Sequence, residues 1–324
     1  MTTALSVTLI LFLFSTCLGS EQAYRQALGL IIADRVLLGC NIATFKTSDF
    51  LSCAQKCLAH SQCKSYNYYN TTENNGLCEI NSENQGDVEE HFSYQPGSLF
   101  GRLMAIKNPR SCLDLLESGF YSSGFYTVWD SRNHPFRVFC DLASEKGWAW
   151  TLVMSQAYHN KDIKKLTKVP FYVDGSLNPT NPNWSAYRLH LRQMQDLKAV
   201  SSHWRITCNF PVKVFDRQDY VKGNFSKFNI LSFEGRYACR FMDYINIKGY
   251  NCSQCTAAWW QHTGSLLHHD LSFGRCSFGN SKPPGISVWN ADYFGYYENR
   301  DTSFSCSSEH SSTTNHWFGG TIPV

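Results

Sequence analysis

Residues 48–70 read SDFLSCAQKCLAHSQCKSYNYYN, and this stretch decides how the first part of the chain folds. From Phe50 onward, apolar residues recur at the spacing i, i+3, i+4, i+7 and i+8, which is one face of an α-helix. Cys53 and Cys57 are one helical turn apart on that face, so both point at whatever packs against it. The stretch therefore predicts an amphipathic helix with two cysteines turned toward a core.

The residues around this helix predict its start, two strands and a loop. The side chain of Ser48 or Asp49 can cap the helix by accepting a backbone N–H. The aromatic residues at 66–69 favour a strand, and residues 77–80 favour a second one. The polar, acidic stretch 82–98 contains a Pro-Gly pair and predicts a loop at the end of this module.

The cysteine spacing of this region is specific enough to identify a family. One cysteine, then C-x3-C-x5-C across a helix, an aromatic strand and a further cysteine resembles the PAN/apple domain. We place this module at residues 28–104. The resemblance implies that disulfides join Cys53 to Cys78 and Cys57 to Cys63, which staples the helix to the sheet.

One cysteine departs from the family pattern. Apple domains often join their first cysteine to another near the end of the module. Cys40 matches that first cysteine, but none lies between Cys78 and Cys112. We therefore expect Cys40 to be free or to form a disulfide-linked dimer.

A second recognisable stretch begins at residue 111 with SCLDLLESGFYSSGFYTVW and continues from residue 136 with FRVFCDLASEKGWAWTLVMS. Alternating apolar residues on both sides of an RNHP turn predict a β-hairpin. The motifs FCDL and GWAWTLV resemble the start of a fibrinogen-like domain, and the resemblance covers residues 109–155. It implies a disulfide between Cys112 and Cys140.

Residues 156–324 depart from that family and predict a β-rich continuation, rich in cysteine and aromatic residues. Fibrinogen-like domains carry an Asp-rich calcium loop before a cysteine, but the corresponding stretch here, YINIKGYNCSQC, lacks it. We expect the calcium site to be absent or displaced. The loosely spaced carboxylates Asp292, Glu298 and Asp301 are the only credible substitute ligands.

The fold class expected from these stretches is α+β. It combines a small disulfide-stapled PAN/apple module, with one helix on a β-sheet, and a larger β-rich fibrinogen-like domain. A chain of this organisation resembles secreted proteins of cnidarians, including skeletal organic matrix proteins of stony corals.

The first residues and the cysteine content indicate the compartment. The apolar run at residues 5–18 is shorter than a membrane span and precedes Gly19, so residues 1–19 read as a secretory signal peptide. No later stretch approaches spanning length. Of 14 cysteines, 13 would remain after loss of Cys17, and in an oxidising compartment most should be paired. We expect a secreted extracellular protein.

Net charge and motif content exclude several classes of function. The formal net charge of +3 is too small to indicate binding to nucleic acid or to a membrane surface. No motif calls for a cofactor. His268-His269-Asp270 lacks a partner nucleophile motif, and adjacent histidines point in different directions on a regular element. We therefore expect no enzyme.

Two further groups of residues have alternative interpretations. Cys252-x-x-Cys255, with histidines nearby, could be half a zinc site, but a disulfide is favoured in a secreted protein. A set of aromatic residues could stack on sugars or fill a β core, of which the core is favoured. This set comprises Trp259, Trp260, Trp289, Tyr293, Phe294, Tyr296 and Tyr297.

Four N-x-[ST] sequons predict glycosylation at Asn70, Asn183, Asn224 and Asn251. Asn251 is the weakest because its middle residue, Cys252, is expected to be bonded. The expected function is that of an extracellular matrix or adhesion protein with protein or glycan partners, including a biomineral organic matrix. The alternative is a soluble fibrinogen-like lectin of innate recognition.

Overall fold

The computed structural model describes residues 7–13, 26–70, 76–83, 91–106, 108–210, 212, 215–271, 274–280, 286 and 292–322. The chain forms two compact units. The first comprises Met1–Lys107 with Ser118–Phe120, and the second comprises Asn108–Glu117 with Tyr121–Val324. Both units contain helices and antiparallel sheets, so the fold is α+β as predicted.

The first unit is a six-stranded antiparallel sheet with one helix, α1 (Phe50–Ala59). The strand order is β1-β2-β6-β4-β5-β3. The strands are β1 (Val7–Leu13), β2 (Gln26–Leu37), β3 (Asn41–Thr47), β4 (Ser65–Tyr69), β5 (Gly76–Asn81) and β6 (Phe92–Ile106). The predicted signal-peptide run contains β1, which pairs with β2, and Gly19 lies outside the described residues.

Helix α1 confirms the prediction from the cysteine spacing. Of the two possible caps, Asp49 is the one used, since its Oδ1 accepts the backbone N–H of Ser52 at 2.7 Å. Cys53 and Cys57 are buried on the inner face, where they pack against the tyrosines of β4 and against β5. The two predicted strands are β4 and β5.

The predicted loop at residues 82–98 is wrong in its second half, because β6 begins at Phe92. Pro96 and Gly97 lie in a β-bulge, where the register shifts between Ala33 and Arg35 of β2. Gly97 has a φ of 77°, and its N–H is bonded to Asp34 Oδ1 at 2.8 Å. A bulge tolerates both residues, because Pro needs no ladder partner there and Gly accepts the positive φ.

The second unit is a ten-stranded antiparallel sheet with four short helices. The strand order is β15-β14-β13-β12-β11-β16-β9-β8-β7, and β10 pairs with β9. The helices are α2 (Cys112–Glu117), α3 (Lys164–Thr167), α4 (Leu191–Ala199) and α5 (Ser277–Asn280). The strands are β7 (Gly124–Trp129), β8 (Pro135–Asp141), β9 (Trp148–Ala157), β10 (Ala186–Arg188), β11 (His203–Cys208), β12 (Tyr220–Asn224), β13 (Gly235–Ile247), β14 (Tyr250–His262), β15 (Ser265–His269) and β16 (Thr313–Thr321).

Two hairpins account for the motifs noted in the sequence. The RNHP turn joins β7 to β8, which confirms the hairpin prediction. Residues 244–255, which lack the Asp-rich calcium loop of fibrinogen-like domains, form the hairpin between β13 and β14. At its turn, Lys248 and Gly249 both have positive φ, at 53° and 83°. Two positive-φ residues make the turn whose twist matches the flanking strands. This segment is therefore a tight turn in place of an open loop.

A buried ion network lies at the centre of this sheet. Arg205 of β11 is fully buried, and its guanidinium donates to Asp141 and, at 3.3 Å, to Glu145 Oε1. Tyr220 donates to the same Glu145 oxygen at 2.6 Å. Burial by itself raises the pKa of Asp141, but the charge and hydrogen bond of Arg205 and the hydrogen bonds from Ser144 together outweigh that effect, and the pKa is lowered. Asp141 is thus held as an anion inside the core.

A second buried arginine, Arg188, binds backbone carbonyls of a loop and has no carboxylate at hydrogen-bonding distance among the described residues. Arg188 donates to the carbonyls of Lys165, Val169, Pro170 and Val173 at 2.6–3.1 Å. Its burial lowers the pKa to about 10. These bonds from Nη1 and Nη2 fix the segment around α3 to β10.

Candidate binding site

All described cysteines except Cys40 form disulfides within their own unit. In the first unit the structure joins Cys53 to Cys78 and Cys57 to Cys63, the same pairs that the PAN/apple resemblance implies. Cys40 is unpaired and partly buried. In the second unit the bonds are Cys112–Cys140, Cys208–Cys306, Cys239–Cys276 and Cys252–Cys255. The bond between Cys252 and Cys255 is the alternative that the sequence favoured over zinc.

The four sequon asparagines lie in different surroundings. Asn70 is exposed at the end of β4, and Asn251 is exposed beside the β13–β14 turn. Asn183 is half-buried, and its amide donates to the carbonyls of Asn181 and Ala186. Asn224 is also half-buried. Its Oδ1 accepts the N–H of Ser226 at 2.8 Å, which turns Nδ2 inward.

The two adjacent histidines point to opposite faces of β15, as predicted. His269 faces the core and donates from Nδ1 to Ala258 O at 2.7 Å. His268 lies against Trp260 on the other face and donates from Nδ1 to Leu266 O at 2.8 Å. Burial lowers the pKa of His268 to about 4, so it is neutral at physiological pH. The histidines therefore do not act on one common substrate atom.

The aromatic set divides between core and surface. Trp259, Tyr293, Phe294 and Tyr297 are buried, as the core interpretation predicts. Trp260 and Tyr296 are only partly buried, and Trp289 lies outside the described residues. The division follows strand alternation, since Trp259 and Trp260 are consecutive in β14 and must face opposite sides.

Four rings lie side by side on the face opposite Trp259, and we call them the aromatic row: Tyr237, Trp260, His268 and Tyr296. Of these, His268 is buried beneath its neighbours. The ring centroids of Trp260 lie 3.7 Å from Tyr237 and 5.9 Å from His268. His268 lies 5.3 Å from Tyr296. Tyr237 is 47% exposed, which opens one end of the row to solvent. The Nε1 of Trp260 is buried and has no hydrogen-bond partner among the described residues.

Carboxylates lie at the other end of the row. Tyr296 donates to Glu298 Oε1 at 3.2 Å. Burial, with the nearby charges of Asp270 and Glu298, raises the pKa of Asp292 to about 7. Burial, together with the charges of Glu298 and Asp292, also raises the pKa of Tyr296. The row thus combines apolar ring faces with acceptors for hydroxyl groups.

The predicted substitute calcium ligands do not come together. Asp301 pairs with Lys248 at 2.8 Å and accepts from Ser303. Within the described part of the chain, no three His, Cys, Asp or Glu side chains are close enough to hold a metal ion. The expectation that Asp301 shares a site with Asp292 and Glu298 is wrong, because Asp301 is paired with Lys248 instead.

The structure brings together one serine, histidine and aspartate that the sequence did not reveal. His203 Nδ1 lies 2.7 Å from Ser202 Oγ, and its Nε2 lies 3.4 Å from Asp243 Oδ2. Nε2 also accepts from Asn224 Nδ2 at 3.2 Å, an orientation fixed by the bond to Ser226. The ring proton is therefore on Nδ1 and is donated to Ser202.

That tautomer opposes activation of Ser202. A general base must accept the proton of its nucleophile, but here the imidazole already donates to the hydroxyl. Burial lowers the pKa of His203, which keeps the ring neutral. The cluster consequently has the residue types of a catalytic triad without its proton arrangement.

Comparison with known proteins supports a modular chain. Residues 30–102 match the family model for the PAN domain, which confirms that assignment. No helix among the described residues is both long and apolar enough to span a bilayer.

Two curated proteins are similar to parts of the chain. Tenascin from Gallus gallus is 26% identical over 143 residues, which is 44% of this chain and 7% of tenascin. Angiopoietin-1 from Sus scrofa is 29% identical over 85 residues, which is 26% of this chain and 16% of angiopoietin-1. These similarities support a PAN domain with a fibrinogen-like region. The chain matches only a small part of either relative's length.

Proposed function

We propose that this chain is a secreted, non-enzymatic adhesion or matrix protein that binds glycans through the aromatic row. Its disulfides fit an oxidising compartment, and both similar proteins, tenascin and angiopoietin-1, match parts of the chain. The tautomer of His203 supports a binding role over catalysis.

The row itself carries the proposal. The faces of Tyr237 and Trp260 offer an apolar surface on which the C–H groups of a sugar ring can pack. The carboxylates beside Tyr296 provide acceptors for hydroxyl groups. A surface of this kind needs no calcium.

A glycan array of the mature protein, with and without a calcium chelator, tests the proposal. We expect saccharide binding that persists in the chelator and falls about tenfold or more in Trp260→Ala, since a central aromatic anchor contributes a few kcal/mol. Tyr121→Ala is the matched control, because Tyr121 is 67% exposed and lies outside the row. Binding that requires calcium and survives Trp260→Ala would favour the fibrinogen-like lectin.

A finer form of the proposal concerns the biological setting. If the protein belongs to a biomineral organic matrix, it should be recovered in the insoluble matrix fraction of the mineral. Recovery only in soluble secretions would contradict that setting while leaving glycan binding intact.

Cys40 supports a proposal of covalent dimerisation. It is the unpaired cysteine among the described residues, and it packs at the edge of a small cluster of Leu37 and Phe100. A non-reducing gel should show a dimer band that disappears in Cys40→Ser. A dimer that persists in the variant would exclude this cysteine as the bridge.

A further inference from the structure

A solvent-open cavity of about 280 Å³ lies beside β13, and no residue of the aromatic row lines it. It is bounded by the segment that links β12 to β13 and by Arg240 of β13. Arg240 pairs with Ala257, which is two residues from Trp259 and shares its face of β14. The cavity and the row are thus on opposite faces of the same strands.

Gln261 of β14 fixes the β12–β13 linking segment, which forms one wall of this cavity. Gln261 is fully buried, and its Nε2 donates to Ile230 O at 2.9 Å and to Phe233 O at 2.7 Å. Its Oε1 accepts the N–H of Phe171 at 2.9 Å. Because every polar atom of this amide is used, the linking segment is fixed in one conformation and the cavity is preformed.

Two cations line the cavity without anionic partners. The guanidinium of Arg240 lies 4.9 Å from the ring centroid of Phe233 and 5.9 Å from that of Phe228. Neither Arg240 nor Lys227 has a side-chain hydrogen bond or ion pair with any residue in the described part of the chain. Stacking on a ring orients a guanidinium but leaves the N–H groups at its edge available.

The other polar groups of the lining fit a sugar. Asn229, Ser232 and Glu234 offer an amide, a hydroxyl and a carboxylate, which suit sugar hydroxyls. A guanidinium edge binds carboxylate or sulfate oxygens in a bidentate manner, and an ammonium adds a second charge. The volume is at the lower end of ligand pockets, so one ring fits.

We propose that this cavity binds a single sugar residue that carries a sulfate or carboxylate group. The anion lies on Arg240 and Lys227, and the hydroxyls lie on the segment that Gln261 fixes. This site is independent of the aromatic row, so either can fail without the other.

Calorimetric titration with N-acetylglucosamine 6-sulfate, glucuronic acid, unsulfated N-acetylglucosamine and inorganic sulfate tests the proposal. We expect both acidic sugars to bind, and the Lys227→Gln/Arg240→Gln variant to bind at least about tenfold more weakly. The control is Arg132→Gln/Lys146→Gln, which removes the same charge from two exposed residues. Arg240→Lys should retain only part of the affinity, because an ammonium cannot form the bidentate contact.

Several outcomes would contradict the proposal that this cavity binds an acidic sugar. Equal binding of the unsulfated sugar would remove the role of the anion, and equal binding of inorganic sulfate would remove the saccharide. Equal losses in the control pair would assign the effect to net charge. If the double variant does not fold, Lys227→Gln alone provides the test, because its side chain is exposed. Trp260→Ala should leave this binding unchanged.

Discussion

The two units of this chain are stabilised in different ways. The main core cluster of the PAN unit is small, and three of its seven fully buried members are the half-cystines Cys53, Cys57 and Cys78. In the second unit the largest fully buried side chains include Arg188 and Arg205 beside four tryptophans. A small module buries too little apolar surface to be stable without covalent links. A large sheet has room to bury a charge together with several of its partners.

This difference predicts where each unit is most sensitive. In the PAN unit, loss of one bond removes a large share of the stabilising free energy. In the second unit, the most sensitive positions are buried ion pairs, because removing one charge leaves the other buried and uncompensated.

The largest expected effect is at Arg205. Replacing Arg205 with Met leaves Asp141 buried without its cation and leaves Glu145 with the more distant Lys222 and Arg217, at 3.8 and 3.9 Å. This should lower the free energy of unfolding of the second unit by about 3–5 kcal/mol. Urea denaturation followed by tryptophan fluorescence measures it. Arg132→Met, at an exposed site, should change it by less than about 0.5 kcal/mol. Similar values for the two variants would contradict the role of the network.

The next effect is at the helix staple. Changing both Cys53 and Cys78 to Ser should cost the PAN unit about 2–4 kcal/mol, because the disulfide restricts the unfolded chain. Limited proteolysis should then cleave the first unit while the second stays intact. The matched pair Cys239→Ser/Cys276→Ser should leave the PAN unit resistant. A peptide map that joins Cys53 to a cysteine of the second unit would remove the basis of this prediction.

A smaller effect concerns pH and is confined to the second unit. The pKa of Asp292 is raised to about 7 by burial, so the folded state holds a proton that the unfolded state loses near pH 4. Its contribution to stability is present below about pH 4 and is lost as the pH rises toward 7. Asp292→Asn should therefore melt at a higher temperature than the wild type at pH 7, with the difference shrinking toward pH 4.

Two histidines oppose this trend in the wild type. Burial lowers the pKa of His268 to about 4 and that of His316 to about 3, so the unfolded state binds their protons first and acid destabilises the fold. The comparison must therefore be made between variants at each pH. Asp162→Asn, at an exposed position, is the control for removing one carboxylate from the second unit.

The smallest effect compares glycosylation in the two units. Asn70 in the PAN unit is exposed, whereas the Nδ2 of Asn224 donates to His203. Because a glycan attaches at that nitrogen, we expect higher occupancy at Asn70 than at Asn224. Site mapping by mass spectrometry of secreted material measures both. Full occupancy at Asn224 with none at Asn70 would contradict the accessibility argument.

Local patterns predicted much of the PAN unit. Helix α1, its cap near Asp49 and strands β4 and β5 follow from residues close together in the chain, because helix and strand periodicity are local properties. The bulge that carries Pro96 into β6 was missed, since a Pro-Gly pair more often signals a turn. Only pairing with β2 shows that the chain stays extended there.

The aromatic row was only partly predictable from the sequence. The sequence identified Trp260 and Tyr296 as members of an aromatic set but could not separate them from the core residues Trp259 and Tyr293. It did not predict that Tyr237 would join the row, because this contact crosses from β13 to β14.

What the sequence by itself determined is the α+β class, the PAN cysteine pattern and the β7–β8 hairpin, all of which depend on short spacings. Only the tertiary structure decided which polar residues are buried and with whom. Arg205 meets Asp141 across 64 residues, and Gln261 fixes Phe171 across 90. Such contacts arise when distant strands pair, and the free energy of burying a polar group depends on the partner that the fold provides.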